Sequence, residues 1–144
     1  PTNLFVAGFI GSPAMNFLDC SLAEENGNLF VQTQGFKISL PEDLATKARA
    51  SKSKEFIFGV RPEDVTKQGT GERASRRSDP VGAVVNVIET LGKETYLDIT
   101  AGSTDNMTAI ISPNIKVALE ETISLDMNLD KIHLFQKDDG DSIF

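Results

Sequence analysis

Apolar residues recur first at helical spacing and then, through most of the chain, at every second position. Phe5/Phe9 and Val6/Ile10 stand four apart behind Thr2 and Asn3, either of which can cap, so residues 3–10 predict a short helix. Its apolar groups run nearly all round, so it must be covered on several sides. A preceding domain is the expected cover, although the rest of the chain could also supply it. Gly11-Ser12-Pro13 breaks the helix and the period changes to two. Leu18, Cys20 and Leu22 alternate with Phe17, Asp19 and Ser21, and a turn at Glu25-Asn26-Gly27-Asn28 leads into Leu29 to Val31, which reads as a hairpin. Phe36, Ile38 and Leu40 make a third strand. Pro41-Glu42-Asp43-Leu44 then suits the first turn of a helix reaching about Ala50, with acids early and Lys47 and Arg49 late, as the helix dipole prefers. Phe56, Phe58 and Val60 form a strand that ends at Arg61-Pro62-Glu63-Asp64.

Residues 66–80, TKQGTGERASRRSDP, hold no large aliphatic or aromatic residue and predict a long loop or partly disordered linker, with a lobe boundary there. From Val81 to Leu91 the pattern places Ala83, Val85 and Val87 on one face and Val84, Asn86 and Ile88 on the other. Gly92-Lys93 turns the chain. Leu97 and Ile99 continue the alternation, Gly102 to Asp105 turns again, and Met107 to Ile111 completes three antiparallel candidates. Ile123, Leu125 and Met127 mark a further strand, and Ile132 to Phe135 a last short one. Many short strands and few helices predict an all-β protein: OB-fold-like small β-barrels with a short N-terminal helix and one further short helix.

Composition narrows the function. With 144 residues the chain can bury about 68% of its unfolded surface without a staple. The single cysteine, Cys20, excludes an internal disulfide framework. Fourteen Lys and Arg against 21 Asp and Glu leave a net charge of −7, which argues against a general binder of nucleic-acid backbones. No apolar run approaches the roughly 20 residues needed to cross a bilayer.

Candidate chemistry is sparse. The one histidine, His133, lies inside the apolar stretch Ile132-His133-Leu134-Phe135, which favours a structural role over general-base catalysis or a dyad with Cys20. Adjacent acids such as Glu63-Asp64 and Glu120-Glu121 point apart on strands or turns and read as solvated charge. Gly69-Thr70-Gly71 lacks the Gly-Lys-Ser/Thr ending with which a phosphate loop reaches its phosphates and Mg²⁺. Arg73, Arg76 and Arg77 could meet an anion or an acidic surface, but a charged loop is usually solvated. The phenylalanines alternate with polar residues and so predict core rather than base stacking.

Four stretches, in order, carry a family resemblance. PTNLFVAGFIGSPAMNFLD at 1–19 resembles the segment leaving the nucleotide-binding domain in the ATPase subunits of maltose-type carbohydrate ABC importers. FGVRPEDV at 58–65 is similar to that family's strand-turn signature, VVNVIETLGKETYL at 84–97 to its hairpin, and DKIHLFQKDDGDSIF at 130–144 to its closing strand. The resemblance implies a C-terminal regulatory region of the transport-associated OB (TOBE) type. On this reading residues 1–13 are a connector helix from a nucleotide-binding domain, and 14–144 the regulatory domain. Phe5, Phe9, Ile10 and Pro13 match the connector. Arg61, Pro62, Glu63, Glu89, Gly92, Glu94, Thr95, His133 and Phe135 match the motifs expected to make regulatory or dimer contacts. The chain itself would be no enzyme and hold no cofactor, since ATP and Mg²⁺ would belong to the preceding ATPase domain. Implied partners are a second copy of the subunit, that ATPase domain, the permease subunits indirectly, and a cytosolic regulatory protein or small molecule, at the inner face of the cell membrane. Pro62 and Gly92 equally suit plain backbone geometry, and Arg61 and Glu63 can satisfy each other. The alternative from another class is a stand-alone OB-type module binding a small oxyanion or an oligosaccharide.

Overall fold

A computed structural model describes residues 2–9 and 13–144, Phe9 by its backbone alone. The first helix, α1 (Leu4–Phe9), is capped by Asn3, whose Oδ1 accepts from the Val6 N–H at 2.8 Å. Ile10, named above as a connector residue, lies outside the described residues, as does the Phe9 side chain. Alternating burial then shapes β1 (Asn16–Glu25) and β2 (Asn28–Gln32). Their two-residue turn needs positive φ at both positions, and Asn26 (52°) and Gly27 (80°) supply it. After β3 (Lys37–Ser39), the helix α2 (Glu42–Arg49) starts behind Pro41 and buries Leu44, Ala45 and Ala48. The strand β4 (Phe56–Val60) leads through a 3-10 turn at Pro62–Asp64 into β5 (Val65–Lys67). β6 (Val81–Leu91), β7 (Glu94–Ala101) and β8 (Asp105–Ile111) form the predicted meander, followed by β9 (Thr122–Met127) and β10 (His133–Gln136).

The strands pair antiparallel in two five-stranded sheets, β10-β4-β1-β2-β3 and β5-β9-β6-β7-β8. In the second, β5 comes alongside β8, so the sheet curls into a half-barrel. The chain passes between sheets at the turn after β4 and returns through β10. One apolar core, from Leu18 and Phe58 to Leu125 and Leu134, runs through both sheets and under α2. A smaller cluster of Ala7, Met15 and Phe135, flanked by Leu4 and Phe17, lies beneath α1. Only part of that helix is covered: Ala7 is buried while Phe5 is 75% exposed.

Two sequence expectations change. A β-bulge between Val85 and Val87 shifts the register, so Ile88 turns towards the core and Val87 stands outside, the reverse of strict alternation. The segment 66–80 is pinned rather than merely solvated. Arg77 pairs with Asp126 at 2.7 Å and donates to Thr66, Arg76 bridges Asp43 of α2 and Asp130, and Ser78 donates its N–H to the Met127 carbonyl. Loop chemistry alone could not reveal this, because every acidic partner lies far off in sequence.

Candidate functional site

The turn after β4 supplies the first half of the site. Pro62 is buried and opens a 3-10 turn, and its fixed φ suits that place. This holds Arg61 and Glu63 at the rim of a cleft of about 270 Å³ that also takes in Asp64, Lys131 and His133. β10 lies beside β4 with His133 opposite Gly59, which carries the histidine to the same end of the sheet as Arg61. Gly59 fits closely here, since a Cβ would come within 2.7 Å of the Met15 sulfur.

Electrostatics in this cleft is mixed. Burial holds the His133 imidazole below its ordinary range, and the positive charges of Arg61 and Lys131 act in the same direction, against a hydrogen bond that the imidazole donates to the Phe144 backbone. His133 is therefore neutral near pH 7. Asp64 moves the other way, raised by burial and by the neighbouring Glu63 charge, so the Glu63-Asp64 pair is not simply solvated. Lys131 and Asp64 were absent from the sequence-based set. Asp64 follows Glu63 and Lys131 stands two residues before His133, and the fold brings these two segments together.

The second half comes from the β6–β7 hairpin. Gly92, with φ of 62°, takes the first of its two loop positions, which demands a residue without a Cβ penalty. Lys93 and Glu94 at the tip line a neighbouring cleft of about 250 Å³ with Ile110, Ser112 and Glu63. Glu63 borders both clefts, so the two halves form one charged face. Glu89 is exposed on β6, in register with Tyr96.

Other matched residues sit elsewhere. Thr95 is buried, its hydroxyl 3.2 Å from that of Thr90, and Phe135 is fully buried with Phe17 edge-on at 6.2 Å. Both serve packing. Pro13 is half-buried in the segment before β1, away from the hairpin in sequence. Cys20 and His133 do not meet as a dyad: on β4 they register with Phe56 and Gly59, three positions apart. Burial, helped by the Asp19 charge, also pushes the Cys20 thiol up to about 12, so it is no thiolate nucleophile at neutral pH. Among the described residues, no group of three or more His, Cys, Asp or Glu side chains is placed to hold a metal ion.

Two antiparallel sheets with a curled second half define an OB-type β domain. The same fold occurs in the cytoplasmic molybdate-binding protein ModG, solved with molybdate bound, at a TM-score of 0.57 and 16% identity over 83% of this chain and 94% of that one. At that identity the likeness concerns the fold alone. Sequence comparison is more specific. Residues 11–65 match the family model described as the MalK OB fold domain. All of the chain aligns, at 35% identity, with 38% of the trehalose/maltose import ATP-binding protein MalK of Thermococcus litoralis. It aligns similarly, at 33%, with 39% of the ABC transporter ATP-binding protein YurJ of Bacillus subtilis. The multiple sugar-binding transport ATP-binding protein MsmK of Streptococcus mutans is 36% identical over 94% of this chain and 35% of its own. The chain thus belongs to the MalK-type OB-fold domains of sugar ABC transporter ATP-binding proteins, and it spans well under half the length of these relatives.

Proposed function

We propose that this chain is the regulatory and dimerisation domain of the ATP-binding subunit of an ABC-type sugar importer. ATP and Mg²⁺ then belong to an ATPase domain outside these residues, and the partners are that domain, a second copy of the subunit, the permease subunits indirectly, and a cytosolic regulator. The place of work is the inner face of the cell membrane. The observation that carries the reading is the continuous charged face of Arg61, Glu63 and Lys131 with the hairpin tip Lys93-Glu94, which takes in the neutral His133 and is mounted on a β core. A face of alternating sign offers orientation-specific contacts and little catalytic power. Such a domain regulates by making different contacts in the open and closed arrangements of the ATPase dimer, since contacts that are equal in both cannot shift the balance.

The test is charge reversal at Arg61 and Glu63 together, in a full-length subunit carrying this domain. Control of transport should change while basal ATP hydrolysis persists. Unaltered transport control in a folded, ATP-hydrolysing subunit would overturn the assignment.

A further inference from the structure

The outward face of β6, β7 and β8 carries two adjacent rows of side chains. Val87, Asp98 and Thr108 are in register across the three strands, and Thr100 and Asn106 pair in the next row beside Asn86. The bulge leaves Asn86 and Val87, neighbours in sequence, both exposed, which a regular strand does not allow. Asn86 Nδ2 donates to Thr100 Oγ1 at 2.7 Å, and that hydroxyl donates to Asn106 Oδ1 at 2.8 Å. This relay orients both amides. It engages the donor end of Asn86 and the acceptor end of Asn106, so Asn86 has its carbonyl oxygen to offer and Asn106 its NH₂.

These groups border a cleft of about 420 Å³, within the size range of small-ligand sites. Asp98 is the charged residue of its lining, with no lysine or arginine among the described lining residues. An anion would meet a carboxylate and no counter-charge there, and the chain as a whole is at −7. Vicinal hydroxyl groups, which donate and accept at once, match a fixed amide acceptor, a fixed amide donor and a carboxylate. The C–H face of a sugar ring matches Val87, which is 47% exposed. Tyr96 stands on the same face one row further along, between Glu89 and Ile110.

We propose that this bulge-side cleft binds a neutral polyhydroxylated molecule of the saccharide class. The site lies apart from the Arg61–Glu63 turn and stands or falls independently of the regulatory reading. Tyr96 is the chain's only tyrosine and tryptophan is absent, so its fluorescence reports on this face. The experiment titrates the 144-residue chain with maltose through the millimolar range, following Tyr96 emission and backbone amide shifts. A parallel titration with sulfate serves as the anion arm. Saturable shifts should centre on Asn86, Asp98 and Asn106 with maltose and stay absent with sulfate. Asn106→Ala should weaken binding about tenfold, the loss of one ligand hydrogen bond. Thr100→Val, which keeps both amides but breaks the relay, should weaken it as well. Absence of a saturable response to maltose, an equal response to sulfate, or undiminished affinity in Asn106→Ala with an intact amide spectrum would overturn the proposal.

Discussion

Gly35 occupies a position with no room for a side chain. A Cβ there would lie 2.3 Å from the Ala101 carbonyl oxygen and 2.8 Å from Asp105 Oδ2. That closeness lets the Gly35 N–H reach the buried Asp105 carboxylate at 2.7 Å, which also accepts from the Thr33 hydroxyl at 2.6 Å. The β2–β3 loop of one sheet is thereby fastened to the β7–β8 turn of the other. Gly35→Ala should destabilise the domain by about 3 kcal/mol, because the atom in the way is backbone and cannot swing aside. Gly82→Ala is the control: its Cβ meets nothing within 4 Å, and removing unfolded-state entropy should leave stability unchanged or raised by about 0.5 kcal/mol. Urea midpoints of the two variants test the contrast. Nothing in the residues around Gly35 records this constraint, because Ala101 and Asp105 lie far along the chain.

The strands were legible because one face of each is buried, and a buried face imposes a period of two on the residues that form it. β7 shows this best, with Thr95, Leu97, Ile99 and Ala101 in and Glu94, Tyr96, Asp98 and Thr100 out. β6 departs from the rule at the bulge, which inserts a residue that the pattern Val85-Asn86-Val87-Ile88 does not betray. The loop 66–80 departs for another reason, since its anchoring is electrostatic and long-range. Arg77 and Asp126 are 23% and 6% exposed in their side chains, whereas Arg76, Asp43 and Asp130 form pairs open to solvent. Arg77→Ala should therefore lower stability by about 2 kcal/mol by leaving a buried carboxylate short of its partner. Arg76→Ala should change stability little, because exposed pairs are screened by water and salt. Chemical denaturation at low and high salt separates the two: the Arg77 effect should survive added salt.

Across the whole molecule, the sheets share one core and are linked by side-chain bridges. Asn16 of β1 donates to the Thr108 carbonyl at 2.9 Å and accepts from its N–H at 2.8 Å, which also occupies backbone groups along β8. We expect a single cooperative unfolding transition for the 144 residues, with calorimetric and van 't Hoff enthalpies in agreement. Gly35→Ala and Arg77→Ala should lower that one transition. Two resolved transitions, with each variant affecting only one, would show instead that the sheets unfold as separate lobes.

The sequence by itself determined the β class, most strand positions, the hairpin turns and the family signatures, because each is written within a few residues, as a period, a turn pair or a contiguous motif. The family resemblance also singled out Arg61, Pro62, Glu63, Glu89, Gly92, Glu94, Thr95, His133 and Phe135 without separating surface from core. Tertiary structure alone decided that Arg61, Glu63, Glu94 and His133 share a face with Asp64, Lys131 and Lys93, that Thr95 and Phe135 turn inward, and that Arg77 holds a loop in place. Those outcomes depend on pairs of groups separated by tens of residues, whose approach is set by how two sheets wrap a common core, and no local pattern records that distance.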